Sequence, residues 1–171
     1  VLVQEAVGSD FESPQLSVFL GNGINGFTEK REFSINFRRD DTVKEGDFNH
    51  DGIVDLVVSD SDNNIINVLF GDGLGDFIVT QTIASSYNVF SNIVLGDFNN
   101  DNELDIAMVR GLVASFVINV YNGSANGTFS ETPEITTLAQ DRSFAISSLV
   151  IGDFNADGDE DLSFADYLSV D

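Results

Sequence analysis

One eleven-residue block occurs three times in this chain of 171 residues, and its recurrence constrains the fold more than any other feature. The block has the pattern Gly-Asp-Phe-Asn-x-Asp-x-x-x-Asp followed by Leu or Ile, and it occupies Gly46–Leu56, Gly96–Ile106 and Gly152–Leu162. Intervals of this size, about 50 residues, are typical of repeat arrays and β-propellers. We call residues 47–55, 97–105 and 153–161 loop 1, loop 2 and loop 3, and we number positions from the first Asp of each.

The spacing of oxygen-bearing side chains predicts a calcium site in each loop. Asp or Asn occupies positions 1, 3, 5 and 9 throughout. Ca²⁺ takes six to eight oxygen ligands at roughly 2.3–2.6 Å, and a loop that alternates ligand with spacer can wrap them around one ion. The residues at position 7, whose backbone carbonyl would add a ligand, are Ile53, Glu103 and Asp159. Position 6 holds Gly52, Asn102 and Gly158. Gly adopts the positive φ of a sharp turn without strain, and Asn is the next most tolerant residue there. The alternative to calcium sites is three Asp- and Asn-rich turns that bind no metal. Chance does not explain why Asp and Asn occupy the same positions in all three.

These loops differ from the helix-flanked calcium loop of EF-hand proteins, which needs a carboxylate at position 12. Position 12 here holds Val58, Met108 and Phe164. Short apolar runs with strand character follow each loop. The sequence therefore predicts calcium loops on β-hairpins.

A second marker supports a repeat of four antiparallel strands. Gly-rich turns that end in Phe lie at Gly71–Phe77 and Gly123–Phe129 after loops 1 and 2, and at Gly21–Phe27 before loop 1. Such turns between apolar runs mark chain reversals. The strands predicted for the second repeat are Ser91–Gly96, Leu104–Val109, Phe116–Tyr121 and a fourth from Phe129 through Thr137. Four antiparallel strands per repeat are typical of one propeller blade.

The predicted fold is all-β, a partial β-propeller of four-stranded antiparallel blades with a calcium loop between the first and second strands. No segment shows the periodicity of a helix. The predicted boundaries are 1–33 for the end of a blade, 34–83 and 84–140 for two full blades, and 141–171 for the start of another.

The three blocks and the Gly-rich Phe turns resemble the FG-GAP repeat, also called VCBS, of integrin α-subunit propellers and many secreted proteins. The resemblance implies a propeller, usually of seven blades, with Ca²⁺ on one face. The side-chain ligands that it implies are Asp47, Asn49, Asp51 and Asp55 in loop 1, Asp97, Asn99, Asp101 and Asp105 in loop 2, and Asp153, Asn155, Asp157 and Asp161 in loop 3. Asn102 replaces the usual Gly, and seven blades would need about twice this length.

Composition excludes some classes of binding partner. The net charge of −22 argues against binding to nucleic acid or to an anionic membrane surface, since both need basic residues to offset phosphate. The chain contains no Cys and no apolar run of the roughly 18 residues that a membrane span needs. Residues 1–5 include neither Met nor a signal peptide, so we expect an internal piece of a longer protein whose other blades are its partners.

The leading functional hypothesis is a non-catalytic, extracellular module for adhesion or protein–protein interaction, with structural Ca²⁺ at about three sites. A lectin-like propeller is the second hypothesis, with Tyr87, Tyr121 and Tyr167 as the candidates for stacking on sugars. An accessory propeller of a larger secreted enzyme is the third. Catalysis within this segment is not expected, because the sole histidine, His50, sits at the variable position 4 and no Cys can serve as nucleophile.

Two surface features add predictions. Asn122-Gly123-Ser124 and Asn126-Gly127-Thr128 are N-glycosylation sequons on a Gly-rich turn, so a eukaryotic secreted form is expected to be a glycoprotein. Five of the seven basic residues lie between Lys30 and Lys44. We expect them to pair with nearby acids, and a docking patch for an acidic partner is the alternative.

Overall fold

The computed structural model describes residues 16–33, 35, 41–85, 93–112, 115–139 and 144–168. Within these ranges the chain forms strands and turns, without a helix, and neighbouring strands pair antiparallel. The predicted all-β fold of antiparallel sheets is therefore confirmed. The same ranges hold no helix of the length and apolarity needed to cross a bilayer.

The strands of the described ranges form four sheets, of two, four, four and two strands in chain order. The first two sheets are β1 (Leu16–Gly21) paired with β2 (Phe27–Phe33), and the sheet of β3 (Val43–Gly46), β4 (Asp55–Asp60), β5 (Ile65–Gly71) and β6 (Phe77–Ala84). The remaining strands are β7 (Ile93–Gly96), β8 (Asp105–Leu112), β9 (Ser115–Tyr121) and β10 (Glu134–Ala139), in that order in one sheet, and β11 (Phe144–Gly152) paired with β12 (Asp161–Leu168). That each sheet is one blade of a propeller, with the boundaries given above, stays a prediction.

The chain divides into two compact units. Residues 1–45 and 52–91 form the first, and residues 46–51 with 92–171 form the second. The division falls inside loop 1, so positions 1–5 of that loop belong to the second unit and positions 6–9 to the first. Loops 2 and 3 lie wholly within the second unit.

In the first unit the core forms where the two sheets pack together. Leu16 of β1 packs with Leu56 and Val58 of β4 and with Leu69 of β5, and all four side chains are fully buried or nearly so. Phe33 and Phe77 meet edge to face beside this cluster, with ring centroids 5.8 Å apart. Every residue of β4 is buried, and the apolar run Leu56–Val58 at its centre is typical of a strand covered on both faces.

In the second unit the central strands β8 and β9 carry the core. Ile106 and Met108 of β8 and Phe116 and Tyr121 of β9 are buried. Phe116 also meets Phe164 of β12, with ring centroids 4.8 Å apart, so the two sheets of this unit share an aromatic contact. Branched and aromatic side chains at these positions favour extended strands.

The fourth strand of the second repeat begins later than predicted. It starts at Glu134, whereas the equivalent strand of the first unit starts at its marker residue, Phe77. Phe129 instead forms one isolated bridge with Gly123 and is buried. The reason lies in Pro133, which has no N–H to donate, so the regular ladder with β9 begins at the next residue. The predicted start of the first strand, at Ser91, lies outside the described residues.

Candidate metal centre

Each loop turns through two residues in the left-handed backbone region. The φ angles at position 6 are +82° at Gly52, +66° at Asn102 and +96° at Gly158, as predicted. Those at position 4 are +58° at His50, +61° at Asn100 and +61° at Ala156. The sequence analysis missed position 4, because Ala rarely adopts this conformation and the three side chains share no chemistry. The recurrence of both angles shows that the three loops have one common backbone course.

In loop 2 the side-chain oxygens at positions 1, 3 and 5 accept backbone N–H groups of the same loop. Asp97 Oδ1 and Asn99 Oδ1 both accept the N–H of Asp101, at 3.0 and 2.9 Å. Asp97 Oδ2 accepts the N–H of Asn102 at 2.9 Å. Asp101 Oδ1 in turn accepts the N–H of Glu103 at 2.8 Å. The predicted side-chain ligands are thus gathered on the inside of one turn.

Loop 3 repeats these hydrogen bonds one for one. Asp153 Oδ1 and Asn155 Oδ1 accept the N–H of Asp157, at 3.2 and 2.8 Å. Asp153 Oδ2 accepts the N–H of Gly158 at 3.0 Å, and Asp157 Oδ1 accepts that of Asp159 at 3.0 Å. Gly and Asn at position 6 therefore give the same loop.

Loop 1 shows the same pattern over the positions that belong to the second unit. The N–H of Asp51 donates to Asp47 Oδ1 at 3.1 Å and to Asn49 Oδ1 at 3.0 Å. The amide Nδ2 of Asn49 also donates to Asp51 Oδ2 at 3.0 Å. Ile53 and Asp55 lie in the first unit, where Ile53 is half-buried against the turn at Gly71 and Gly73.

The carboxylate at position 9 connects the loop to other parts of its sheet. Asp105 is buried, and its Oδ2 accepts the N–H of Phe98, at position 2, at 3.1 Å. Its Oδ1 accepts the N–H of Gly123, the first residue of the Gly-rich turn, at 2.8 Å. Asp161 accepts the N–H of Phe154 in the same way at 3.0 Å. The sequence analysis assigned position 9 only to the metal, although an Asp paired with a downstream Gly in both complete repeats is a signal for this bond.

The first unit contains the matching bond. Asp55, which is also buried, accepts the N–H of Gly71 through Oδ1 at 3.0 Å. Position 9 therefore holds the Gly-rich turn in place in both four-stranded sheets.

Electrostatics shows that the acids of loop 2 lie close enough to interact. Burial raises the pKa of Asp105, and the neighbouring charges of Asp101 and Asp97 raise it further. The hydrogen bonds from Gly123 and Phe98 act in the opposite direction. A cation among these carboxylates would remove the repulsion.

The loops offer oxygen donors in the number and order that Ca²⁺ prefers. A carboxylate has about four lone-pair sites, so oxygens that accept one N–H still have capacity for a metal. Among the described residues, no three His, Asp or Glu side chains stand together in an arrangement that would already hold an ion. The oxygen-only donor set fits the predicted cation.

Side chains also connect one loop to the next. His50 Nε2 lies 2.7 Å from Glu103 Oε2, which joins position 4 of loop 1 to position 7 of loop 2. The hydrogen bond and the charge of Glu103 raise the pKa of His50. Asn100 Nδ2 donates to Asp159 Oδ1 at 2.7 Å, which joins position 4 of loop 2 to position 7 of loop 3. The sequence analysis did not anticipate either contact.

The other predicted features lie away from the loops. Tyr121 is a buried strand residue, Tyr87 lies outside the described residues, and the side chain of Tyr167 lies outside them too. Asn122 Nδ2 donates to Glu134 Oε1 at 3.1 Å, whereas Asn126 is exposed and accepts from Thr128 Oγ1 at 2.8 Å. Use of either sequon stays a prediction.

Lys30 and Arg31 of the basic segment pair with acids. Lys30 forms an ion pair with Glu32, and Arg31 Nη2 lies 2.9 Å from Glu29 Oε1. Arg31 Nε also lies 3.8 Å from Asp76 Oδ1. Arg38 and Arg39 lie outside the described residues.

Comparison with known proteins finds one family to which part of the chain is similar. Residues 47–108 match the family model described as FG-GAP-like repeat. No curated protein matches the chain, and no solved structure does. The matched segment begins at position 1 of loop 1 and ends in β8, so it includes the whole of loops 1 and 2. The resemblance predicted from the sequence is confirmed for residues 47–108, which are similar to the FG-GAP-like repeat.

Proposed function

We propose that this chain is a non-catalytic, extracellular FG-GAP repeat module that binds Ca²⁺ in its three hairpin loops and presents a surface to a protein partner. The family match supports a β-propeller-type interaction module. Calcium, adhesion and the location outside the cell are the further parts of this proposal.

The hydrogen bonds common to loops 2 and 3 are the observation that carries the calcium proposal. Two loops with different residues at positions 4, 6, 7 and 8 orient the Asp and Asn side chains at positions 1, 3, 5 and 9 in the same way. What they have in common is a set of oxygen donors, the ligand type that Ca²⁺ takes. A purely structural turn would not need so many negative charges at one point.

Bound Ca²⁺ would supply positive charge and fix the loop. Hydrogen bonds of the loop residues also hold the loop in shape. Asp97 and Asp101 accept N–H groups of the turn, and Asp105 accepts the N–H of Gly123 in the Gly-rich turn. Because the ordered loop exists only in the folded chain, ion binding stabilises folding.

Two observations support an interaction role in preference to catalysis. His50 is engaged with Glu103 across two loops, which gives the sole histidine a positioning role. The strong negative charge would favour a partner with a basic surface. The alternatives to a protein partner are a glycan partner and a role as the accessory propeller of an enzyme. Within the part of the chain that the structure describes, neither has a specific side chain to support it, since Tyr121 is buried.

Thermal unfolding in Ca²⁺, Mg²⁺ and EDTA tests the proposal. With affinities of roughly 10⁻⁴–10⁻³ M, as in extracellular modules, 10 mM Ca²⁺ would add about 1–3 kcal/mol for each occupied site. For a chain of this size, each kcal/mol raises Tm by about 2–4 °C. Mg²⁺ should substitute poorly, because it demands a smaller octahedral site.

A pair of acid-to-alanine variants separates site binding from general screening of charge. Asp101→Ala should remove the contribution of loop 2, whereas Glu131→Ala removes an exposed acid outside the loops and should leave the calcium response unchanged. Identical melting curves in calcium and EDTA would refute calcium binding.

A further inference from the structure

The contacts between loops repeat with the sequence. His50 to Glu103 and Asn100 to Asp159 both join position 4 of one loop to position 7 of the next, each at 2.7 Å. We call these two contacts the inter-loop links. Both lie within the second unit, which contains positions 1–5 of loop 1 and all of loops 2 and 3.

A second repeated contact accompanies the links. A Cβ added at Gly46 would lie 3.0 Å from Leu104 Cδ1, and one added at Gly96 would overlap the carboxylate of Glu160. Leu104 and Glu160 both occupy position 8 of the following loop. Glu160 Oε2 also accepts the N–H of Asp97 at 2.8 Å. Two unrelated kinds of contact thus give the same arrangement, in which the start of each loop lies against the end of the next.

The links attach to the residues that would hold the ion. His50 stands between Asn49 and Asp51, and its partner Glu103 has its N–H held by Asp101. Asn100 likewise stands between Asn99 and Asp101, and the N–H of its partner Asp159 is held by Asp157. The backbone carbonyls of Glu103 and Asp159 are predicted ligands. A loop fixed by its ion would therefore present position 4 in place, which orders position 7 of the next loop.

We propose that the inter-loop links couple the three calcium sites, so that an ion in one loop strengthens binding in its neighbour. This inference rests on the proposed calcium function. Repulsion between neighbouring cations would act in the opposite direction. The carboxylates of Glu103, Asp159 and Glu160 lie between the loops and offset it, and salt screens what remains over about 10 Å. His50 and Asn100 are then positioning residues, which act on the ion through the next loop.

The other loops of the chain show which residues can replace those of an inter-loop link. Position 4 is Ala156 in loop 3, with the same φ of +61° as Asn100, so His50→Ala and Asn100→Ala remove a link while keeping a side chain that the loop accepts. Position 7 is Ile53 in loop 1, so Glu103→Ile removes the link from its other end. His50→Asn is the rescue variant, because Asn already donates from position 4 in loop 2.

Calcium titrations of the 171-residue chain, followed by NMR, measure each loop separately. The reporters are the N–H groups at position 5, which donate to positions 1 and 3 in all three loops. In the unchanged chain we expect overlapping transitions with a Hill coefficient above 1. His50→Ala should weaken binding in loops 1 and 2 about five-fold, the low end of usual coupling between sites, with a smaller effect on loop 3. Asn100→Ala should do the same for loops 2 and 3.

A double-mutant cycle of His50→Ala and Glu103→Ile should show non-additive effects on calcium affinity, and His50→Asn should restore it. A merely structural role would lower Tm without changing the affinity of the neighbouring loop. Ala156→Asn is the control, since it alters position 4 of loop 3 and should leave loops 1 and 2 unchanged. Normal binding with unaltered affinities in the link variants would overturn the coupling alone. No calcium response in any loop would overturn both the coupling and the proposed function.

Discussion

Asn119 in β9 offers a direct test of how a buried polar group affects this fold. The side chain is 2% exposed, and its Oδ1 has no hydrogen-bond partner. The equivalent residue of the first unit, Asn67, accepts from Thr82 Oγ1 at 2.9 Å across a directly paired position. The residue paired with Asn119 is Ile135, which has no donor. We predict that Ile135→Thr supplies the missing hydrogen bond.

The magnitude follows from two opposing terms. One net hydrogen bond contributes about 0.5–1.5 kcal/mol, and an unsatisfied buried acceptor costs about 1–3 kcal/mol. Ile135 is 52% exposed, so Thr gives up only part of a side-chain burial that is worth roughly 1.5–3 kcal/mol when complete. Ile135→Val is the matched control, because Val has the shape of Thr without the hydroxyl. The Thr variant should be about 1 kcal/mol more stable than the Val variant.

Thermal unfolding by circular dichroism at one protein concentration measures the difference. The expected shift between the two variants is about 2–4 °C. The reverse change in the first unit, Thr82→Val, should destabilise the chain by about 1–2 kcal/mol, because it leaves Asn67 without its donor. Thr and Val variants at position 135 that agree within about 0.5 kcal/mol would refute the reasoning.

Three further predictions concern the loops and the surface. Gly96→Ala should destabilise the chain by about 0.5–1.5 kcal/mol, because its Cβ would displace the flexible Glu160 carboxylate from the N–H of Asp97. Glu160→Ala removes the same hydrogen bond, so the two changes should be less than additive in the double variant, as measured by unfolding. Asn102→Gly should relieve up to about 1 kcal/mol of backbone strain and tighten calcium binding in loop 2 about five-fold, as measured by the same NMR titration; unchanged affinity would contradict this. The chain should self-associate in calcium, since Val150 and Phe154 are 56% and 60% exposed, and Phe154→Ser should weaken association; a stable monomer in sedimentation would contradict this.

Much of the fold was predictable because its signals are local. The apolar runs after each loop and the Gly-rich turns predict strands and reversals, and β6 begins at its marker, Phe77, as the pattern indicates. The pattern was wrong at Phe129 because the marker is followed there by Pro133, which prevents an early ladder. A single residue outside the repeated block thus moves a strand boundary that the block itself cannot specify.

The interior of each loop was predictable for the same reason, whereas its surroundings were not. The Asp and Asn ligands at positions 1, 3 and 5 follow from spacing alone, and their side-chain oxygens accept N–H groups of one turn. The contact of His50 with Glu103 depends on how two hairpins lie next to each other, and no local pattern contains that information. Only the structure shows that the residues at positions 4 and 7, which look variable in the sequence, vary as complementary pairs.

The aromatic residue at position 2 shows what decides such differences. Phe48 is buried, and its ring meets that of Phe129 edge to face with centroids 5.4 Å apart. Phe154 has the same neighbours in sequence, and the N–H group at position 5 makes the same hydrogen bonds in both loops, yet Phe154 is 60% exposed. Phe48 is covered by Phe129, which ends a Gly-rich turn of the next sheet. The neighbouring repeat therefore provides the surface that buries the Phe48 ring, and full burial of such a ring stabilises the fold by roughly 1.5–3 kcal/mol. The sequence of such a repeat determines the course of its own backbone, whereas part of its stability comes from packing against the next repeat.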